Sequence, residues 1–372
     1  MQDCIELLNL KTLGDEPVDI VVSRGRIAAI SPAGSVAPRD GSLDFAGTCY
    51  VSAGWIDLHV HAFPEFDPYG DEIDELGVKQ GVATIVDAGS CGADRIGELL
   101  ASGRTANTRL LSLLNVSRIG LARVDELSRL EWIDRRKAVA AAAAFPGEIV
   151  GLKARISRSV VGSSGLEPLR LARELSGETG LPLMVHIGSG PPAIEEIVSM
   201  LAEGDVVTHY LNGKANNLFD AEGRPLPELL AALDRGVRLD VGHGSASFSF
   251  RAAEAAKRHG IGLHTISSDL YRGNRLNGPV YSLANVLTKF LQLGYPLEDI
   301  VGAVTACAAN WLRRPELGRF EVGGIADLTI FEVAAKRTKL VDSEGEERWT
   351  DSLIEPKGVV VNGKYIKCED RP

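Results

Sequence analysis

Between residues 55 and 267, short apolar runs alternate with stretches of helical pattern, and this alternation constrains the fold more than any other feature of the chain. The runs are 55–60 (WIDLHV), 82–88 (VATIVDA), 109–116 (RLLSLLNV), 148–154 (EIVGLKA), 181–187 (LPLMVHI), 205–210 (DVVTHY), 236–242 (GVRLDVG) and 262–267 (GLHTIS). Segments such as RRKAVAAAAAF and SFRAAEAAKRHG lie between some of them and read as helices. Strands joined through helices run parallel, with short right-handed crossovers. Eight such units predict an α/β fold built on a distorted, closed (β/α)8 TIM barrel, with a doubly wound open sheet as the alternative. No GxGxxG motif follows the first strand, which weakens a dinucleotide-binding reading.

The two ends have a different texture. VDIVVSRGRIAAI and SLDFAGTCYV near the start, and ADLTIFEV and GVVVNGKYIK near the end, read as strands separated by turns. Asn362-Gly363 is a two-residue hairpin signal. Both ends are expected to build one small β-sandwich module. The predicted organisation is residues 1–51 as its first part, 52–318 as the barrel and 319–372 as its second part.

Composition excludes several classes. The net charge is −10 and no basic stripe is interleaved with aromatics, so nucleic acid is not an expected partner. The five cysteines, Cys4, Cys49, Cys91, Cys307 and Cys368, are odd in number and lack CxxC spacing. That argues against a disulfide framework and for a reducing compartment. The opening MQDCIELLNL has early acids and no basic segment, and no apolar run approaches the ~18 residues of a membrane span. The expectations are a cytoplasmic homo-oligomer with a small-molecule substrate and no membrane partner.

Polar residues fall at one end of the predicted strands. His59 and His61 close the first, Lys153 the fourth, His186 the fifth and His209 the sixth, and Asp269 lies just past the eighth. A barrel gathers these ends into one mouth, where barrel enzymes keep their chemistry. The pleat puts both imidazoles of His-x-His on one face. Joined by groups from neighbouring strands, they make a metal pocket of imidazole and carboxylate. A single strand-end histidine is usually a satisfied polar residue, and Asp269 alone reads as a helix N-cap. Four histidines at matched strand ends are not independent accidents.

Lys153 is the anomaly. A charged lysine inside costs several kcal/mol. Burial and nearby cations favour the neutral amine. A neutral amine can react with carbon dioxide to give a carbamate whose two oxygens could each face a metal ion. Carbamate, aspartate and a hydroxide would then offset most of the charge of two divalent ions. A lysine snorkelling to the rim is the bland alternative.

With these residues, the chain resembles the amidohydrolase superfamily of urease, dihydroorotase, hydantoinase and phosphotriesterase relatives. The resemblance runs along the whole chain, from VSAGWIDLHVH entering the barrel to GRFEVGGIADLTIF leaving it. GLKARISRSVVG, MVHIGSGPP, THYLNG and DVGHGSASFSF are similar to its amidohydrolase/deacetylase subgroup. The resemblance implies two divalent ions, zinc by expectation. His59, His61 and Asp269 would hold the more buried ion, His186 and His209 the more exposed one, and carboxylated Lys153 would bridge them. It also implies hydrolysis of an amide or ester in a small acylated, carboxylate-bearing compound, with Asp269 as proton shuttle. A cyclic amidase of dihydroorotase, hydantoinase or lactamase type is the second reading, and a catalytically silent structural relative the third.

Two departures narrow the choice. Dihydroorotase-like sites continue His-x-His-x-Arg, whereas Ala62-Phe63 follows here. Mononuclear deaminases of the superfamily carry a glutamate three residues past the fifth-strand histidine, where this chain has Ser189. Candidate substrate contacts are Arg155, aimed by the pleat into the same mouth as Lys153, His243 in VGHGS, and Asn212 after His209. Tyr271, Arg272 and Asn277 are expected on a lid-like loop. Cys91 follows a stretch similar to the metal-ligating cysteine region of D-aminoacylases, with a small buried packing residue as the alternative. His259 and His264 read as a helix end and a strand start.

Overall fold

The computed structural model describes residues 4–369. The strands at the two ends form one continuous sheet. In chain order they are β1 (Cys4–Lys11), β2 (Pro17–Ser23), β3 (Arg26–Pro32), β4 (Leu43–Asp44) and β5 (Tyr50–Ala53). The middle supplies β6 (Trp55–Val60), β7 (Val82–Gly92), β8 (Arg109–Asn115), β9 (Ile149–Ile156), β10 (Leu183–Ile187), β11 (Val206–Thr208) and β12 (Arg238–Asp240). The C-terminal part adds β13 (Leu328–Val341), β14 (Glu347–Val361) and β15 (Lys364–Lys367).

The end strands are ordered β15-β14-β13-β5-β1-β2-β3, with β4 alongside β1. Only the pairings of β1 with β4 and β5 are parallel. The expected sandwich is therefore a single hydrogen-bonded sheet of eight strands, drawn from both ends of the chain. Val361 pairs with Lys364 across Asn362-Gly363, whose φ values of 51° and 72° are those of a tight hairpin turn.

The middle strands form a second sheet, ordered β12-β11-β10-β9-β8-β7-β6, with every neighbouring pair parallel. Its sides are divided by the period-two pleat. Leu152, Ala154 and Ile156 of β9 pack with the helices in the main core, as do Leu183, Val185 and Ile187 of β10. On the concave side Ile56, Leu58, Val86, Ala88, Leu113, Met184 and Val206 pack around Ala308 and Ala309 of a short helix, Ala306–Trp311. This apolar plug closes one end of the interior. Polar side chains line the other.

The eighth run, 262–267, departs from expectation: it is not a regular strand. It meets its neighbours through single bridges, Asp240 to Thr265 on one side and Val60 to Leu270 on the other. The backbone N–H groups of Val241 and His243 donate to Thr265 and Ser267, and Asp269 N donates to the His59 carbonyl. Side chains interrupt the regular ladder between these backbone bonds. Leu239 N donates to His264 Nδ1, Gly242 N to Ser267 Oγ, and Ser268 N to Asp57 Oδ1. The segment thus connects the first and seventh strands of the sheet. Seven strands are regular, and the eighth position is held by backbone bonds and single bridges that side chains supplement.

Asp57 is central to that closure, because it accepts from Ser268 N and Oγ and from His59 N while fully buried. Asp57→Ala orphans these donors, and we expect a loss of about 1–3 kcal/mol in denaturant-induced unfolding. A loss within the error of the measurement would show that closure does not depend on this carboxylate.

Candidate metal centre

Six of the sequence-selected residues meet above the apolar plug. His59 lies near the end of β6, and His61 follows directly after it. His59 Nε2 is 3.4 Å and His61 Nε2 3.3 Å from Asp269 Oδ1. These three residues offer ligand atoms within 4.8 Å of one another. The His59 and His209 ring centroids are 5.0 Å apart, and those of His209 and His186 4.4 Å. Lys153 projects inward from within β9, which continues to Ile156 rather than ending at the lysine. Its Nζ is 2.9 Å from His59 Nε2 and 3.7 Å from Met184 Sδ.

Backbone geometry makes room for this cluster. Asp269 and His209 adopt left-handed φ values of 53° and 71°. Gly89 lies against Lys153: a Cβ there would be 2.7 Å from Lys153 Cβ, and its φ of 79° suits glycine. A Cβ on Gly244 would lie 2.4 Å from Asp269 Oδ2. Both glycines are needed for the approach of the side chains they face.

The hydrogen bonds determine which imidazole nitrogen is available. His209 Nδ1 is 2.5 Å from the Gly242 carbonyl. A carbonyl can only accept, so Nδ1 carries the proton and Nε2 carries the lone pair. That Nε2 is buried without a hydrogen-bond partner among the described residues. Thr208 Oγ1 gives its single proton to Asp240 Oδ2, 2.7 Å away, and so accepts from His59 Nδ1 at 3.0 Å. His59 Nε2 is again the lone-pair nitrogen. His61 Nδ1 is 2.9 Å from Ser90 Oγ, whose backbone N–H donates to Asp87.

Electrostatics point the same way. Burial, reinforced by neighbouring positive groups, lowers the pKa of His59 and His186 well below the usual range, and burial lowers that of His209 to about 4 against the raising influence of Asp269. All three rings are neutral at physiological pH, the form that binds metal. Burial lowers Lys153 to about 7, against the raising influence of Asp269. For Asp269, burial favours the acid. The His61 hydrogen bond and the charges of His209, His61 and Lys153 outweigh it, and the pKa falls below the ordinary carboxylate value. A neutral-imidazole set with a carboxylate and an unpartnered, inward-facing nitrogen fits divalent metal. The residues that could hold it are His59, His61, Lys153 as a carbamate, His186, His209 and Asp269.

The three candidate substrate contacts have other partners. Arg155 Nε and Nη2 bind both oxygens of buried Glu126 at 2.7 and 2.6 Å, and Nη2 also donates to the Val124 carbonyl. Asn212 donates to the His209 carbonyl and accepts from Lys214 N, shaping the loop after β11. His243 is fully buried, stacked on Phe248 at 4.5 Å. Its Nδ1 is 2.9 Å from the Gly244 carbonyl and its Nε2 accepts from Lys289 Nζ at 2.7 Å, so neither ring nitrogen is left for a substrate. Cys91 is buried within the main apolar core, which pushes its thiol pKa far up. Tyr271 borders the helix Arg272–Asn277, and its ring meets Tyr69 edge-on at 5.2 Å, beside His61.

Sequence reading missed Thr208, Asp240 and Ser90, which orient the histidines, and Lys214 on the loop after β11. Thr208 had a signal: it directly precedes His209 on a buried strand.

The chain is similar to several known proteins. A family profile described as a deacetylase-like composite domain matches residues 320–366. A deacetylase of Enterococcus faecalis is 40% identical over 358 residues, covering 96% of this chain and 97% of the relative. A solved structure described as an adenine deaminase has 39% identity and a TM-score of 0.93, covering 98% of this chain and 99% of the other. Another, described as a dihydroorotase, has 35% identity and a TM-score of 0.89, with 99% of both chains covered.

The chain belongs to the deacetylase family of the amidohydrolase superfamily.

It is a hydrolase. Its family relatives carry three different functional descriptions, so the site must decide among them. Among the described residues, no helix is long and apolar enough to cross a membrane. The orientation of the histidines can be tested directly. Thr208→Val keeps the shape but removes the acceptor for His59 Nδ1–H. Metal affinity, read by competition with a chromogenic chelator, should fall about 10–100-fold, the usual effect of losing such a partner. Unchanged affinity would mean the tautomer is set elsewhere.

Proposed function

We propose that this enzyme is a binuclear metal-dependent deacylase that cleaves the amide or ester bond of a small acylated, carboxylate-bearing compound. The carrying observation is the convergence of His59, His61, Asp269 and Lys153 beside the unpartnered Nε2 of His209. Bound divalent ions, zinc in this reading, would supply the Lewis acidity that lowers the pKa of water and polarises a carbonyl.

The chain's own groups perform the rest. Asp269 is held as a carboxylate, so it can accept the proton of the attacking water and return it to the departing nitrogen or oxygen. The bond to that atom breaks as the new carbon–oxygen bond forms, leaving a small carboxylic acid. Lys153 is poised for carboxylation: its amine is buried, beside His59, and half neutral near pH 7. Attack of the amine nitrogen on carbon dioxide releases one proton and leaves the carbamate.

The competing descriptions fare less well. A deaminase of the mononuclear type would place glutamate where Ser189 stands, and a dihydroorotase would place arginine where Phe63 stands. Phe63 is buried against Phe66 and offers no charge to a substrate. A silent relative would have lost ligands, and all six positions are kept here.

The deciding experiment assays zinc-loaded protein on acyclic N-acyl and O-acyl acids beside hydantoins and cyclic imides. Turnover confined to the acyclic compounds is expected; turnover confined to the rings would replace this reading with the cyclic amidase. Protein never exposed to chelator should carry about two divalent ions per chain, and absence of stoichiometric metal would refute the binuclear site.

Asp269→Asn keeps an oxygen in place but cannot take the proton. Its kcat should fall by roughly 10²–10⁴ with little change in KM. Near-normal kcat with full metal content would reduce Asp269 to a ligand. Lys153→Ala should lose activity and regain part of it with added short-chain acids. Carboxylation needs the neutral amine, so bicarbonate-dependent activation of the wild type should rise as pH increases through about 7. Activation that falls across this range would contradict the carbamate.

A further inference from the structure

The proposed substrate carries a carboxylate, and the arginine that the strand pattern aims at the mouth is already neutralised by Glu126. Another cation is available. Lys214 lies on the loop after β11, half-buried, and its Nζ has neither a hydrogen bond nor an ion pair with any described residue. A single point beside Gly188, where a Cβ would sit, is 3.6 Å from His186 Nε2 and 3.7 Å from Lys214 Nζ. The ammonium therefore stands beside the outermost histidine of the cluster. Its charge is felt by His186 and His209, and it is itself drawn toward the Asp269 carboxylate.

The position is built, not incidental. Asn212 Oδ1 accepts from Lys214 N, while its amide donates to the His209 carbonyl. Asn216 donates to the Gly188 and Pro192 carbonyls and accepts from Ile194 N, tying the loop after β10 to the loop that carries the lysine. Asn217 donates to the Asn212 carbonyl. Three asparagines thus fix the backbone around a side chain that has no partner of its own. Glu344, the acid nearest to Gly213, is taken by Ser249 and Arg251.

We infer that Lys214 is the specificity-determining residue that binds the substrate's carboxylate, placing the acyl group against the His186 side of the cluster. An ammonium at the rim of a partly dehydrated site discriminates for an anion through a charge-assisted hydrogen bond. This inference rests on the deacylase reading for the identity of the reacting bond, but not for the recognition of charge.

Two measurements separate the two. The first is calorimetric binding of N-acetylglycine and of its neutral primary amide to zinc-loaded Asp269→Asn protein, with and without Lys214→Met. The acid should bind more tightly than the amide, and Lys214→Met should cut this preference about 10–100-fold, the range of a lost charged hydrogen bond. Lys214→Arg should restore most of it, which a merely structural role would not. The second measurement is turnover: for the acid, Lys214→Met should raise KM by the same factor with a much smaller change in kcat. Equal binding of acid and amide by the parent protein, or a preference that survives Lys214→Met, would overturn the inference. Charge-selective binding without hydrolysis of any acylated acid would instead sink the deacylase reading and leave the role of Lys214 standing.

Discussion

The amine of Lys153 is buried between a thioether and an imidazole, and much of the molecule follows from having to keep it there. A charged ammonium in that position would cost several kcal/mol. The interior meets this cost by asymmetry. Below the lysine, Met184 and the residues around the helix Ala306–Trp311 form an apolar floor. Above it stand the imidazoles and Asp269. Desolvation from below and the neighbouring Arg155 charge bring the amine to the edge of neutrality. The left-handed Gly89 gives the lysine stem its space, since any side chain there would collide with it. One residue thus accounts for a glycine on β7, a methionine on β10 and the sharp division between the two ends of the interior.

The same logic governs the histidines. Burial keeps His59, His186 and His209 neutral well below physiological pH, so protons do not compete for their lone pairs. Neutrality alone leaves two tautomers, and the surrounding acceptors choose between them. The Gly242 carbonyl holds the His209 proton on Nδ1, and the Thr208–Asp240 pair does so for His59. Asp240 also accepts from Thr265 and Ser267, so one carboxylate both orients a ring and joins the irregular eighth segment to its neighbour. Asp57 does the equivalent on the other side. Closure of the sheet and preparation of the site are therefore one hydrogen-bond network, and the carboxylates that serve it are buried where their cost is offset by several donors each.

What could be read from the amino acids divides along this line. Seven of the eight expected strands and the clustering of the six polar positions were legible because apolar runs and strand-end polarity are local properties. The hairpin at Asn362-Gly363 was legible for the same reason. The irregularity of the eighth run was not, because its backbone bonds are interspersed with bonds that join His264, Ser267 and Ser268 to Leu239, Gly242 and Asp57, all of them distant in sequence. Arg155 was placed at the mouth by the pleat and His243 by its position after the seventh strand, but their partners Glu126 and Lys289 lie 29 and 46 residues away. Whether a polar side chain is free or already satisfied depends on such distant residues. Lys214 shows the converse. Nothing in THYLNGK marks its lysine, and it becomes visible only once Arg155 is matched to Glu126, and Lys153 and Lys289 to the groups around them.

The C-terminal hairpin explains why both chain ends belong to one sheet beside the seven-stranded parallel sheet. The turn between β13 and β14 reaches the loops at the mouth. Ser343 exchanges bonds with Phe248 and donates to the Gly244 carbonyl, and Asp342 accepts from Phe250 N. Lys289 binds His243 and the Val341 carbonyl together, so the loop after β12 is clamped to the end of β13. Glu344 packs against Gly213, where any Cβ would strike its carboxylate, one residue from Lys214. Two loops that flank Asp269 and His209 are thus braced from outside the parallel sheet. A loop exposed to solvent on its own would hold an unpaired lysine poorly, since its rotamer entropy would favour solvent over the mouth. Bracing by a strand pair anchored at both chain ends removes that freedom at the backbone, and leaves only the side chain to be ordered by whatever it binds.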